Sequence, residues 1–183
     1  MYFEKAGPQN TDAVIKAALE TARDRGLKHI VAAATVGTSV DKLVKEAGPN
    51  VTIVAVTHNV GFGEEGKGEF DPRIREAVTK AGHFVLTATL ATRNINKAIS
   101  TRFGGYSQTE IVNAALRIFG QGTKVAIEIT AMAADAGLIP FDDIIALGGT
   151  GRGWDTALII RANSSNRFFD IKVREIICKP WSF

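Results

Sequence analysis

The chain has 183 residues, 45% hydrophobic and 22% charged, with a net charge of +3. That length and balance suit one folded domain over residues 1–183 with a core of its own, and exclude a disordered or low-complexity chain. The charge is too mild for a nucleic-acid footprint and no stretch approaches the ~20 apolar residues of a membrane span, while a lone cysteine, Cys178, and the lack of a signal-peptide pattern point to the cytoplasm.

Asn10 or Thr11 is placed to cap a first helix, in which Val14, Ala17, Ala18, Thr21 and Ala22 recur at helical spacing until Gly26. Residues 29–34 read as a short buried strand. Val40, Leu43, Val44 and Ala47 mark a second helix, closed by Gly48 and Pro49. Residues 51–56 are almost continuously apolar, as a parallel strand covered on both faces should be. A third helix is predicted over 71–81 and a strand over 83–87. Two or three helices follow, one carrying Arg93 and Lys97 and another opened by the capping pattern from Ser107 to Glu110. Residues 124–137 fit both periods over short windows, but Val125, Ile129, Met132, Ala133 and Ala136 favour a helix over the longer one. Residues 144–148 and 156–160 read as strands flanking a glycine-rich loop, and 170–178 as the last strand. Successive βα units predict an α/β fold: a three-layer αβα open sheet, mostly parallel, with closing strands joined too tightly for crossovers and therefore antiparallel.

Ligands of such sheets sit beyond the carboxyl ends of the strands, near a topological switch point. Three loops qualify. The first is the turn Thr35, Val36, Gly37, Thr38, Ser39, where a helix start offers unpaired N–H groups and hydroxyl donors. Its plain alternative is a capping box made by Thr38 with Asp41. The second is Thr57, His58 and Asn59, in which His58 reads either as a catalytic base or as a loop histidine without a partnered nucleophile. The third runs through Gly148, Gly149, Thr150, Gly151 and Arg152 to Asp155 and Thr156. Glycines cost about 0.5–1 kcal/mol each relative to alanine, so the loop needs something that only glycine allows. Either an anionic ligand approaches its backbone beside the Arg152 guanidinium, or the loop is a tight turn with an exposed arginine.

Other signals carry less. Gly61 to Gly66 spells a dinucleotide fingerprint, yet no apolar helix follows and Glu64 and Glu65 would face the phosphates, so 60–71 reads as a mobile flap with Phe62 as its one apolar anchor. The three histidines and the cysteine lack metal-ligand spacing, so no metal is expected. Glu128 reads as a functional buried acid or as the partner of Lys124, and Arg93, Lys97 and Arg102 as an anion-binding or merely solvated face.

Residues 30–39 (IVAAATVGTS) followed by 51–59 (VTIVAVTHN) resemble the C-terminal domain of pyruvate kinase. Tyr2-Phe3, the run from Glu128 to Asp135, the arginine-bearing glycine loop before Asp155 and the ending from Glu175 to Pro180 are similar to a stand-alone group of pyruvate kinase α/β-domain-like proteins. The resemblance implies that Thr35, Gly37, Thr38 and Ser39, with Gly149, Thr150, Gly151 and Arg152, match loops holding a phosphorylated sugar effector. It also implies that flavin mononucleotide (FMN) is a fitting ligand, with Phe62 and Trp154 as ring contacts. A catalytic (β/α)₈ barrel needs about 250 residues, so pyruvate kinase activity is not expected. The expected function is therefore binding of a small phosphorylated ligand, FMN above all. The alternatives are a small FMN-dependent oxidoreductase and a sensor of a phosphorylated sugar. Neither nucleic acid nor membrane is an expected partner, and self-association stays open. Gly37→Val is expected to obstruct the ligand without touching the core.

Overall fold

The computed structural model describes residues 1–183. Its strands are β1 (Tyr2–Lys5), β2 (His29–Ala34), β3 (Thr52–Thr57), β4 (Phe84–Thr87), β5 (Asp143–Gly148), β6 (Thr156–Arg161) and β7 (Lys172–Ser182). Its α-helices are α1 (Thr11–Arg25), α2 (Thr38–Glu46), α3 (Pro72–Lys80), α4 (Asn94–Phe103), α5 (Gln108–Arg117) and α6 (Gln121–Asp135). The strands form one sheet in the order β1-β7-β6-β5-β2-β3-β4. Strands β5, β2, β3 and β4 are parallel, and β6 runs antiparallel to both β5 and β7, as the short connections require. No helix is long and apolar enough to cross a membrane.

Alternate residues of each strand feed opposite cores, the period of two expected of a pleated sheet. Ile30, Ala32, Ile53, Ala55, Ile145 and Leu147 pack against Val14, Ile15 and Ala18 of α1, Val40 and Leu43 of α2 and Val78 of α3. Val31, Val54, Val56, Ile144, Ala146 and Leu158 face the opposite way, onto Ala126, Ile129 and Ala133 of α6. Helix plus sheet plus helix gives the three layers. Each fully buried Val, Leu or Ile contributes roughly 1.5–3 kcal/mol relative to exposure, so this double burial is the main source of stability.

Several local details depart from the pattern-based reading. β1 was not foreseen; it is an exposed edge strand that pairs in parallel with β7, with Tyr2 opposite Lys179. β7 continues four residues past the expected end at Cys178 because β1 gives it a partner there. Asn10 occupies the N-cap of α1 but does not cap it, since its amide donates to the Lys5 carbonyl at 2.9 Å. The capping box at Thr38 is absent. Gly37 is the N-cap of α2, at φ +101°, and Thr38 is already helical. A residue inside the helix cannot serve as its N-cap, and position 37 is reserved for glycine, since a Cβ there would lie 2.9 Å from the Phe70 ring and 3.1 Å from Ile74. The box predicted at Ser107 does form, with Ser107 N donating to Glu110 Oε2 at 2.8 Å and Glu110 N to Ser107 Oγ at 3.3 Å.

Candidate functional site

The strand order reverses at β2, which has β3 on one side and β5 on the other. Here the loops leaving two parallel neighbours diverge and open a crevice, as at the switch points of other open α/β sheets. A cavity of about 320 Å³ lies at this place. Thr35, Gly37, Thr38 and Ser39 from the β2–α2 turn line it, together with Thr57 and His58 after β3, Phe62 of the flap, and Gly149, Gly151 and Arg152 after β5. Residues from all three sequence-selected loops therefore share one cavity. Helix α2 points its N-terminus at it, and no side chain caps that end.

A second group of lining residues comes from the opposite layer: Arg93, Arg117, Gln121, Lys124 and Glu128. Gln121, Lys124 and Glu128 are spaced by three and four residues and form one stripe on α6, while Arg117 joins them from the end of α5 across the turn at 118–120. Arg117 and Gln121 were missed because the turn at 118–120 breaks the helical period between them, and no local pattern ties Arg117 to the α6 residues. Of the three basic residues proposed as one face, Arg93 reaches the cavity, whereas Lys97 and Arg102 do not line it.

The cavity is electropositive. Arg93, Arg117, Lys124 and Arg152 line it against a single carboxylate, Glu128. Lys124 pairs with Glu128, both side chains being 5% exposed. None of the three arginines pairs with an acid: Arg117 Nε donates to Gln121 Oε1 at 2.6 Å, and Arg93 lies over the Phe62 ring at 4.5 Å. Outside the cavity Arg25, Lys42, Lys45, Arg161 and Arg174 have carboxylate partners while Arg73, Arg75, Arg102 and Arg167 do not, so what sets the cavity apart is the convergence of three unpaired arginines on one crevice. Glu128 is held from its other side, where its Oε1 accepts from Thr92 N at 2.8 Å and from the Thr92 hydroxyl. Asn113 Nδ2 fixes the same loop through the Thr92 carbonyl at 3.0 Å.

The flap is better anchored than its sequence suggests. Phe62 stacks on His58 with centroids 3.8 Å apart, and His58 Nδ1 lies 2.6 Å from Glu69 Oε2. Phe70, at the flap's far end, is 8% exposed and belongs to the α1–α3 core. Phe62 is thus held between His58 and Arg93, with neither ring face free.

Other predicted site residues sit elsewhere. Asp155 and Thr156 are fully buried. Asp155 Oδ2 accepts from Gly7 N and Thr150 N, each at 3.1 Å, and Oδ1 from the Thr156 hydroxyl at 2.8 Å, so this carboxylate ties the N-terminal segment to the glycine loop. Trp154 does line the cavity, but as a core residue, 1% exposed, whose ring nitrogen donates to the Ala33 carbonyl at 2.7 Å. Asn59 Oδ1 receives Asn94 Nδ2 at 2.7 Å, linking the β3 loop to α4. Gly148 and Thr150 do not line the cavity. The glycines after β5 mostly serve packing: a Cβ on Gly149 would lie 2.2 Å from the Gly153 carbonyl oxygen, whereas one on Gly151 would meet nothing. Gly37→Val would collide with Phe70 and Ile74, so it probes the core as much as the cavity.

Comparison with known proteins places this architecture. In structure the chain is similar to a pyruvate kinase from Cryptosporidium parvum, with a TM-score of 0.43 and 20% identity over 84% of this chain and 23% of that one. A Cryptosporidium parvum pyruvate kinase in complex with ADP gives a TM-score of 0.43 and 21% identity over 84% of this chain and 24% of that one. The chain therefore spans less than a quarter of the length of these relatives. A family model of the pyruvate kinase alpha/beta domain matches residues 12–160, and with most of its length inside that match the chain belongs to the pyruvate kinase α/β-domain family.

Proposed function

We propose that the chain binds a small phosphorylated ligand in the switch-point cavity. The observation that carries this reading is the set of three arginines, Arg93, Arg117 and Arg152, lining one crevice without a carboxylate partner, opposite the uncapped N-terminus of α2. Guanidinium groups keep their charge at any physiological pH and grip phosphate through two parallel donors. Helix N–H groups supply further donors, with the dipole favouring negative charge. Thr38 and Ser39 hydroxyls stand at the same place.

FMN and a sugar phosphate both satisfy that chemistry. A flavin ring needs a flat face, and Phe62 offers one only if His58 or Arg93 moves away. The phosphate grip is therefore the better supported half of the FMN reading. The test is a thermal-shift and calorimetric comparison of FMN with riboflavin and of ribose 5-phosphate with ribose. Binding of the phosphorylated member of either pair alone supports the proposal. Equal behaviour within both pairs rejects it.

A further inference from the structure

The cavity carries more positive charge than a phosphate needs. Four cations against one carboxylate leave three positive charges among its lining residues. A phosphate monoester brings about −1.5 to −2 at neutral pH, which leaves roughly one positive charge unanswered. That surplus has a defined place. Lys124 is 5% exposed, and its ammonium has three hydrogens, of which Glu128 Oε2 takes one; no other protein group accepts from it. Glu128 cannot turn away to solvent, because Thr92 N and the Thr92 hydroxyl hold its other oxygen. A buried ammonium with donors unmet is costly, and a ligand acceptor at this position relieves the cost.

We infer that the ligand is a phosphorylated carboxylic acid, whose phosphate lies at the α2 and Arg152 end and whose carboxylate receives the two spare donors of Lys124. A carboxylate fits the remaining charge of about one unit, whereas a neutral hydroxyl or ring carbonyl leaves that charge unmet. Lys124 is then the specificity-determining residue, and Glu128 is the acceptor that competes with the ligand for it. This inference rests on the phosphate-binding reading above. The bland alternative is an i,i+4 pair that only stabilises α6, in which case Lys124 has no influence on ligand choice.

The test uses two open-chain probes that differ at one carbon: 6-phosphogluconate, ending in a carboxylate, and sorbitol 6-phosphate, ending in a hydroxymethyl group. Calorimetric titration of the full chain should show the acid binding about 10- to 100-fold more tightly, the span of a charge-assisted hydrogen bond. Lys124→Met should erase that preference while sorbitol 6-phosphate still binds. Glu128→Gln keeps an acceptor for Thr92 but removes the competing charge, so the preference should persist or grow. Circular dichroism checks that each variant folds, and the wild-type comparison and Glu128→Gln keep the test decisive if Lys124→Met does not. Equal affinities in the wild type, a preference that survives Lys124→Met, or one that collapses in Glu128→Gln overturns the inference but leaves the phosphate reading standing. Binding of neither probe also overturns the inference, and the FMN and ribose 5-phosphate pairs then decide the phosphate reading separately.

Discussion

Gly122, in the first turn of α6, and Gly148, at the end of β5, meet backbone to backbone: a Cβ on Gly148 would lie 2.1 Å from the Gly122 carbonyl oxygen. A Cβ on Gly122 would in turn meet the Thr156 hydroxyl at 2.2 Å. Helix and sheet touch here without side chains between them, and this contact brings Gln121 and Lys124 to the cavity. The contact predicts a sharp contrast within one loop. Gly148→Ala should cost about 3 kcal/mol or more, the upper range for forcing volume into a packed interior. Gly151→Ala, at φ +82° but in open space, should cost about 1 kcal/mol of backbone strain. Urea denaturation of the two variants compares them, and similar losses would refute the close-contact explanation.

Asp155 is a brace. It is fully buried and accepts two backbone N–H groups and one hydroxyl, which connect Gly7, Thr150 and Thr156. Asp155→Asn should lower stability by about 1–2 kcal/mol: the amide oxygen keeps the two N–H bonds and the amide nitrogen can donate to the Thr156 hydroxyl, but the bonds lose their charged acceptor. Denaturant unfolding measures this. A stable variant with weakened ligand binding would instead make Asp155 a ligand contact.

The pH dependence has a structural origin in His83. Burial lowers its pKa from the ordinary 6.5, and its Nδ1 accepts the Ile53 N–H at 3.3 Å, which only an unprotonated nitrogen can do. The unfolded chain takes up this proton more readily than the folded one. The contribution to stability is therefore fully present above 6.5 and is lost as pH falls through the folded-state value. His29, lowered by burial and then by Lys28, acts in the same direction. Thermal midpoints at about pH 7.5 and about pH 5.5 should show wild type losing stability on acidification, and His83→Gln losing less. An equal or larger loss in the variant would show that His83 is not responsible.

Much of this fold was legible in the chain, and the reasons are local. The apolar run of β3, the periodicity of α1, the Ser107 capping box and the tight connection between β5 and β6 each rest on residues close together in sequence. What escaped depends on partners far away. β1 has no apolar pattern of its own and is a strand only because β7, about 175 residues later, pairs with it. The Thr38 capping box is absent because α2 begins one residue earlier, with Gly37 as its N-cap, packed where a side chain would meet Phe70 from far along the chain. The loops that make the cavity were found through strand ends, but its far wall, Arg117, Gln121 and Lys124, becomes visible only when α6 is laid across the sheet. Glycines after β5 signalled close approach correctly, yet the approaching group is mostly the protein's own backbone.

The central claim is that this cavity grips phosphate, and Arg152 is its most accessible probe, being exposed, unpaired and on the cavity wall. The measurement is calorimetric titration of wild type, Arg152→Ala and Arg152→Lys with one phosphorylated ligand that binds the wild type. Arg152→Ala should weaken binding by about 1.5–3 kcal/mol and Arg152→Lys should recover only part of that loss, since lysine offers a point charge in place of a fork of donors. Affinities equal within about 0.5 kcal/mol across all three proteins would mean an ordinary exposed arginine on a turn, and would contradict the account.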